Sequence, residues 1–122
     1  MPTLNLQNRS AIKLGIILGL IVALTDLAFK SLAVNLVLNS DAALGIASHN
    51  SLMALIQLLI ILIWGIYLMF SESQEFPKLE ICIITLLVTA SLSNLLDRIM
   101  LGGVRDYIFA LGFWFNLADF TI

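Results

Sequence analysis

Three apolar blocks decide what this chain can fold into, because each is close to the length that crosses a bilayer, about 20 residues. The first covers about 11–34 and contains LGIILGLIVALTDLAFKSLAV. The second, 52–70, reads LMALIQLLIILIWGIYLMF, with Gln57 as its only strongly polar side chain. The third, 79–100, turns polar at its end, SLSNLLDRIM. SESQEFPK between the second and third has loop chemistry, with Pro77 as breaker. A fourth span is expected to begin near 116 with FNLADFTI, and the sequence stops at Ile122, so either the chain is truncated or its last helix is lacking. The fold expected is a mainly α membrane protein in one domain, 1–122, with three complete transmembrane helices and the start of a fourth.

Composition agrees with the blocks. With 61% hydrophobic and 11% charged residues, and a mean hydropathy of +1.06, too few charges exist to cover a water-soluble surface. A net charge of −2 without a basic patch argues against a nucleic-acid partner. Cys82 is the single cysteine; it has no internal disulfide partner and reads as a small apolar residue within a helix. One histidine and one cysteine argue against a protein-built zinc site, and no metal or cofactor is expected.

Arg9 and Lys13 precede the first block, a pattern shared with signal peptides, but no small-residue cleavage site follows, so the block reads as an uncleaved helix. Gly15 and Gly19 admit two readings, a face for close helix packing or the ordinary glycine content of a membrane helix. The same two cations favour a cytoplasmic N-terminus.

That orientation sends the polar side chains to one leaflet. Asp26 lies roughly 22 Å along the first helix from Ala11, near its outer end, and Lys30 shares its face four residues on. The third span starts inside, so Asn94, Asp97 and Arg98, again on one face, arrive at the outer surface as well. Asp106 follows in the outer loop, and Asp119 opens the fourth span from the same side. Each residue has an unremarkable reading alone. Asp26 with Lys30, or Arg98, can anchor a helix at the interface; Asn116 and Asp119 can cap the fourth helix. Arg105 reads as a solvated loop charge, His49 and Asn50 as loop residues, and Trp64, Tyr67, Trp114 and Phe115 as belt aromatics. An anchor set, however, is made of cations and aromatics, not of aspartates and asparagines gathered on one side.

Two carboxylates brought close cannot both ionise comfortably; one keeps its proton, so the pair holds an acid and a base together. Such a pair can activate water against a peptide carbonyl and protonate the departing amine. It can also carry protons in a small transporter, although transporter acids usually lie near the midplane rather than at one end.

SNLLDR, VRDYI and FNLADFTI, in that order, resemble the C-terminal motifs of the lipoprotein signal peptidase (signal peptidase II) family: Asn-Leu-x-Asp-Arg, a Val-x-Asp-Phe-like box, and Phe-Asn-x-Ala-Asp. Upstream, TDLAFK resembles its Asp-x-x-x-Lys and NSDAALG its Asn-x-Gly-Ala-Ala-Phe-Gly loop. The resemblance covers Asp26 to the end. It implies an aspartic endopeptidase of the bacterial inner membrane, multi-pass, with its active site near the outer leaflet. The implied substrates are diacylglyceryl-modified prolipoproteins, cut just before the lipidated cysteine. Membrane lipid is the other partner, and an oligomer is not required. The implied catalytic pair is Asp106 and Asp119. Substrate-holding and supporting roles fall on Asp26, Lys30, Asn39, Asn94, Arg98, Asn116 and Ala118, and a structural role on Asp97. The implied fold adds a small extracytoplasmic β-cradle, built here around 37–47.

The chain departs from those motifs at Asp41, where the loop usually has Gly, and at Leu44, where it has Phe. Ser93 stands where Gly is common, and Ala90 occupies another small-residue position. Asp41, if it lies near the dyad, is expected to raise the pair's apparent pKa by like-charge repulsion. The alternatives to an active peptidase are a catalytically idle relative that binds lipidated peptides and, ranked below it, the proton-coupled transporter.

Overall fold

The computed structural model describes residues 6–40, 50–70 and 77–121. Helix α1 runs Leu6–Leu32 and helix α2 Asn50–Phe70. The third apolar block forms α3, Lys78–Ala90, and α4, Leu92–Leu101, which follow each other through a helical Ser91. Lys78–Leu101 therefore counts as one span, and three helical segments are long and apolar enough to cross a membrane. Helices stand at the three complete spans expected, and polar flanking turns such as Leu6–Ser10 and Lys78 extend them at their N-terminal ends. The expected fourth span is represented by a 3-10 helix, Ala118–Thr121.

Large apolar side chains point outward. Ile17, Ile21 and Leu24 on α1, Leu62 and Ile63 on α2, and Ile99 and Met100 on α4 are all exposed, as lipid-facing residues should be. None of the residues in Asn50–Leu68 is buried, so α2 lies at the edge of the bundle. It is held there by the Trp64 indole N–H, which donates to Thr85 Oγ1 at 3.3 Å. At its N-terminus, Asn50 Nδ2 donates to the Arg98 carbonyl at 3.1 Å and Arg98 Nη1 donates to Asn50 Oδ1 at 3.3 Å. Asn50 is thus the first residue of a helix rather than part of a loop.

The close contact is between α1 and α3, and it decides the reading of Gly15 and Gly19. A Cβ at Gly15 would lie 2.6 Å from the Cys82 carbonyl oxygen; one at Gly19 would lie 2.5 Å from Thr89 Cβ. No side chain fits at either position. The glycines are a packing face. Thr85 and Thr89 return their hydroxyls to the carbonyls of Ile81 and Thr85, at 2.6 and 2.7 Å, so neither hydroxyl is left open at this apolar interface.

Helix α4 ends in Gly102, whose φ of 75° supplies the left-handed cap that lets the chain turn back. Strand β2, Val104–Asp106, then pairs antiparallel with β1, Val37–Asn39, in the register Val37↔Asp106 and Asn39↔Val104. A second hairpin follows, β3 (Ile108–Ala110) with β4 (Phe113–Phe115). Its two-residue turn places Leu111 at φ 55° and Gly112 at φ 84°. The expected cradle is present as small antiparallel sheets, and of the region around 37–47 only 37–40 lies within the described residues. Within the described residues it consists of two small antiparallel sheets, and three of the four strands come from 104–115. Asp41, Leu44 and His49 lie outside the described residues.

Candidate active site

Polar side chains occupy the interior where a soluble protein has its apolar core. The largest side chains completely shielded from solvent are Lys30, Asn116, Asp26 and Ser93. They meet at the end of the bundle to which α1 and α4 bring their polar residues. On α4 the buried positions Ser93, Asn94, Asp97 and Arg98 follow helical spacing, while Leu96, Ile99, Met100 and Leu101 face out.

Asn116 joins the two catalytic candidates. Its Nδ2 donates to Asp106 Oδ1 at 2.7 Å, and its backbone N–H donates to Asp119 Oδ2 at 3.0 Å. In return, its Oδ1 accepts the Asp119 N–H at 3.2 Å. The Asn116–Asp119 exchange is a reciprocal cap on the 3-10 helix. Capping and site-building, separate readings of the sequence, are done by the same two residues. Asp106 Oδ2 accepts a further hydrogen bond from Asn39 Nδ2 at 3.1 Å, a consequence of the β1–β2 pairing. Asp119 Oδ1 accepts one from Asn94 Nδ2 at 2.9 Å.

Asp106 is 2% exposed. That burial pushes its carboxyl above the ordinary carboxylate range; the hydrogen bonds from Asn116 and Asn39 pull it back in part, and the Asp119 charge pushes it up further. The Arg98 guanidinium lies within electrostatic range of both Asp106 and Asp119. Asp119 itself is partly exposed, so the pair has one sheltered and one accessible member.

Behind the pair stands a chain of charges. Lys30 Nζ contacts Asp26 Oδ2 at 2.6 Å, Asp97 Oδ2 at 3.2 Å and Asn94 Oδ1 at 2.7 Å. Asp97 in turn accepts from the Arg105 backbone N–H at 3.0 Å and from its guanidinium Nη2 at 2.7 Å. Arg105 is therefore not a solvated loop charge; it ties β2 back onto α4. Ala118, fully buried, directs its N–H toward Asp26 Oδ1 at 3.4 Å.

All ten residues singled out in the sequence come together around this cluster. Two others were missed. Tyr107 donates its hydroxyl to Asp26 Oδ1 at 2.9 Å, and Ser93 donates to Asp26 Oδ2 at 2.7 Å. For Ser93 a signal existed, since it precedes Asn94 and lies i−4 from Asp97 on the buried face. Tyr107 lies in the VRDYI box, but nothing in the sequence shows that its hydroxyl reaches α1.

No curated protein and no solved structure matches the chain. The family model described as Signal peptidase (SPase) II matches residues 11–122, nearly the whole chain. With its membrane-spanning helices, small antiparallel sheets and convergent aspartates, the chain belongs to the signal peptidase II family of membrane-embedded lipoprotein-processing proteases.

Proposed function

We propose that the chain is an aspartic endopeptidase that removes signal peptides from diacylglyceryl-modified prolipoproteins, cutting immediately before the lipidated cysteine. The observation that carries this reading is the double engagement of Asn116, which holds Asp106 by its side chain and Asp119 by its main chain. Two carboxylates tied to one residue are held near each other, where one proton can serve the pair, and the family is a protease family.

In this mechanism the ionised member of the pair takes a proton from water as the water oxygen attacks the scissile carbonyl. The protonated member donates to the carbonyl oxygen, and the amine of the cysteine leaves with a proton returned by the pair. Asn39 and Asn94 hold the carboxylates in place, and the Arg98 charge favours the ionised partner. Asp26, Lys30, Asp97, Asn116 and Ala118 are enclosed and act as supports rather than as substrate contacts. The lipid-facing surface of the helices gives a diacylglyceryl substrate lateral access. We place the protein in a bacterial inner membrane with the pair near the outer leaflet, the orientation that Arg9 and Lys13 favour.

The test is a gel-shift assay on a diacylglyceryl-modified prolipoprotein with the parent chain, Asp106→Asn and Asp119→Asn. Cleavage before the lipidated cysteine that is lost in both variants supports the reading. A parent chain that binds the substrate without cutting it supports instead the idle lipopeptide-binding relative.

A further inference from the structure

Asp26 receives more donors than its charge needs. Lys30 alone, at 2.6 Å from Oδ2, is an adequate ion-pair partner within a fully buried site. Yet Ser93 Oγ also donates to Oδ2 at 2.7 Å, and at Oδ1 the carboxylate accepts the Tyr107 hydroxyl at 2.9 Å and the Leu117 N–H at 2.9 Å, with the Ala118 N–H at 3.4 Å. These donors come from α1, from α4, from the residue after β2, and from the turn that leads into Asp119. One carboxylate thus gathers every segment from which the site is assembled except β1 and α2.

The directions of the bonds are fixed by chemistry. Tyr107 has one hydroxyl proton. A carboxylate only accepts, so that proton goes to Asp26, and the phenolic oxygen is left to accept the Leu117 N–H at 3.1 Å. The Leu117 amide is therefore shared between Asp26 and Tyr107. Burial, assisted by the Asp26 charge, pushes the Tyr107 hydroxyl up to about 12, so it stays a donor throughout the neutral range. Ser93 has an alternative acceptor, the Ala90 carbonyl at 3.5 Å, but the shorter contact to a charged oxygen is the stronger one.

We propose that Tyr107 and Ser93 are positioning residues for the peptidase reaction, acting through Asp26 to hold the Leu117–Ala118 peptide and, with it, the Asp119 carboxylate. Ser93 pins one oxygen of Asp26 to α4, which turns the other toward the turn; Tyr107 then closes on the Leu117 N–H from the second side. Asp119 lies two residues further on, with its own N–H already committed to Asn116. A slack Leu117 amide moves the carboxylate relative to Asp106 without dismantling either hydrogen-bonded aspartate. This rests on the peptidase reading above and adds two residues to its machinery.

The experiment uses Tyr107→Phe and Ser93→Ala, each of which removes one oxygen and adds none. Steady-state cleavage of the lipidated prolipoprotein is measured together with thermal unfolding and with amide hydrogen exchange of the peptides that cover Leu117 and Ala118. The expected result is a fall in kcat of about tenfold in each variant, the scale of one hydrogen bond to a charged group, with KM within about twofold. Exchange at Leu117–Ala118 rises while exchange in α3 is unchanged. A kcat within twofold of the parent in both variants overturns the proposal, as does faster exchange spread evenly over the helices, which is the mark of a merely structural role. A parent chain that fails to cleave defeats the peptidase reading instead, and the exchange measurement then still decides whether the clamp on Leu117 exists.

Discussion

Replacing Gly19 by alanine should separate α1 from α3, and the size of the effect can be worked from the contact. The new Cβ would lie 2.5 Å from Thr89 Cβ and 2.8 Å from the Leu86 carbonyl oxygen. Carbon atoms in good contact stay about 3.5–4.0 Å apart, so relief requires a displacement of about 1 Å. Neither neighbour can yield alone, since one is helix backbone and the other a β-carbon held by the Thr89–Thr85 hydrogen bond. The helices must move apart as bodies. Overpacking of this kind costs about 3 kcal/mol at its upper end, offset by about 1 kcal/mol from alanine's better helix propensity, which leaves a net loss of about 2 kcal/mol. Gly65 is the internal control, because a Cβ there meets nothing within 4 Å, and Gly65→Ala should be neutral or stabilising by up to about 1 kcal/mol. Equilibrium unfolding in mixed micelles with a rising fraction of denaturing detergent measures both. Gly19→Ala should also lose activity. Asp26 lies two turns along the same helix, and a shift of about 1 Å opens its 2.7 Å bond from Ser93 beyond hydrogen-bonding range. Equal stability of Gly19→Ala and Gly65→Ala would refute the packing argument.

Two further outcomes follow from the site and its hairpin. Burial and the neighbouring Asp119 charge raise the Asp106 carboxyl in the folded protein, so its proton is bound more tightly folded than unfolded. That contribution to stability is complete below the ordinary carboxylate range and is lost as pH rises through the folded value; the melting temperature of Asp106→Asn should therefore gain on that of the parent as pH rises above about 4. A difference that does not change with pH would show that no ionisation penalty sits at Asp106. At the hairpin tip, Leu111 adopts φ 55° with its side chain 95% exposed, so the left-handed backbone costs energy that packing does not return. Leu111→Gly should raise stability by about 1 kcal/mol in the same unfolding assay, and a loss would mean that the leucine makes contacts the folded chain depends on.

The helices were legible because bilayer thickness converts apolar length directly into a span, and the site was legible because polar residues at a fixed depth have few bland explanations. Asn94, Asp97 and Arg98 could be placed on one face from helical spacing alone, and α4 carries them there. The strands were not legible. YIFALGFWF is apolar without alternation, so neither a helical nor a strand period stands out, and its turn carries one usable signal, Gly112, beside a leucine that sequence statistics never favour at positive φ. The pairing that matters most, Val37 opposite Asp106, joins positions far apart in the chain and has no local signature at all. Arg105 was misread for the same reason. As a loop residue it looks solvated, and only the β1–β2 sheet shows that it folds back onto Asp97.

The distribution of buried groups makes the site and the fold difficult to separate. Among the described residues, the buried apolar ones are few and mostly small, among them Ala11, Ala23, Cys82, Ala90 and Ala118, because lipid-facing helices gain nothing by hiding large apolar side chains from a solvent that is itself apolar. Specificity of assembly then has two sources, the glycine contact along α1 and α3 and the polar cluster at the end of the bundle. In the cluster every aspartate is satisfied by donors from other segments: Asp26 from α4 and the Asp119 turn, Asp97 from α1 and β2, Asp106 from β1 and Asn116, Asp119 from α4. A buried carboxylate is tolerable only while its donors stay in place, so the groups proposed to perform the chemistry are also those whose loss the fold feels most. Alanine at any of these positions would confound lost catalysis with lost assembly. Replacements that keep shape and change one property, such as Asp106→Asn, Tyr107→Phe and Ser93→Ala, are the ones whose kinetics can be read as chemistry.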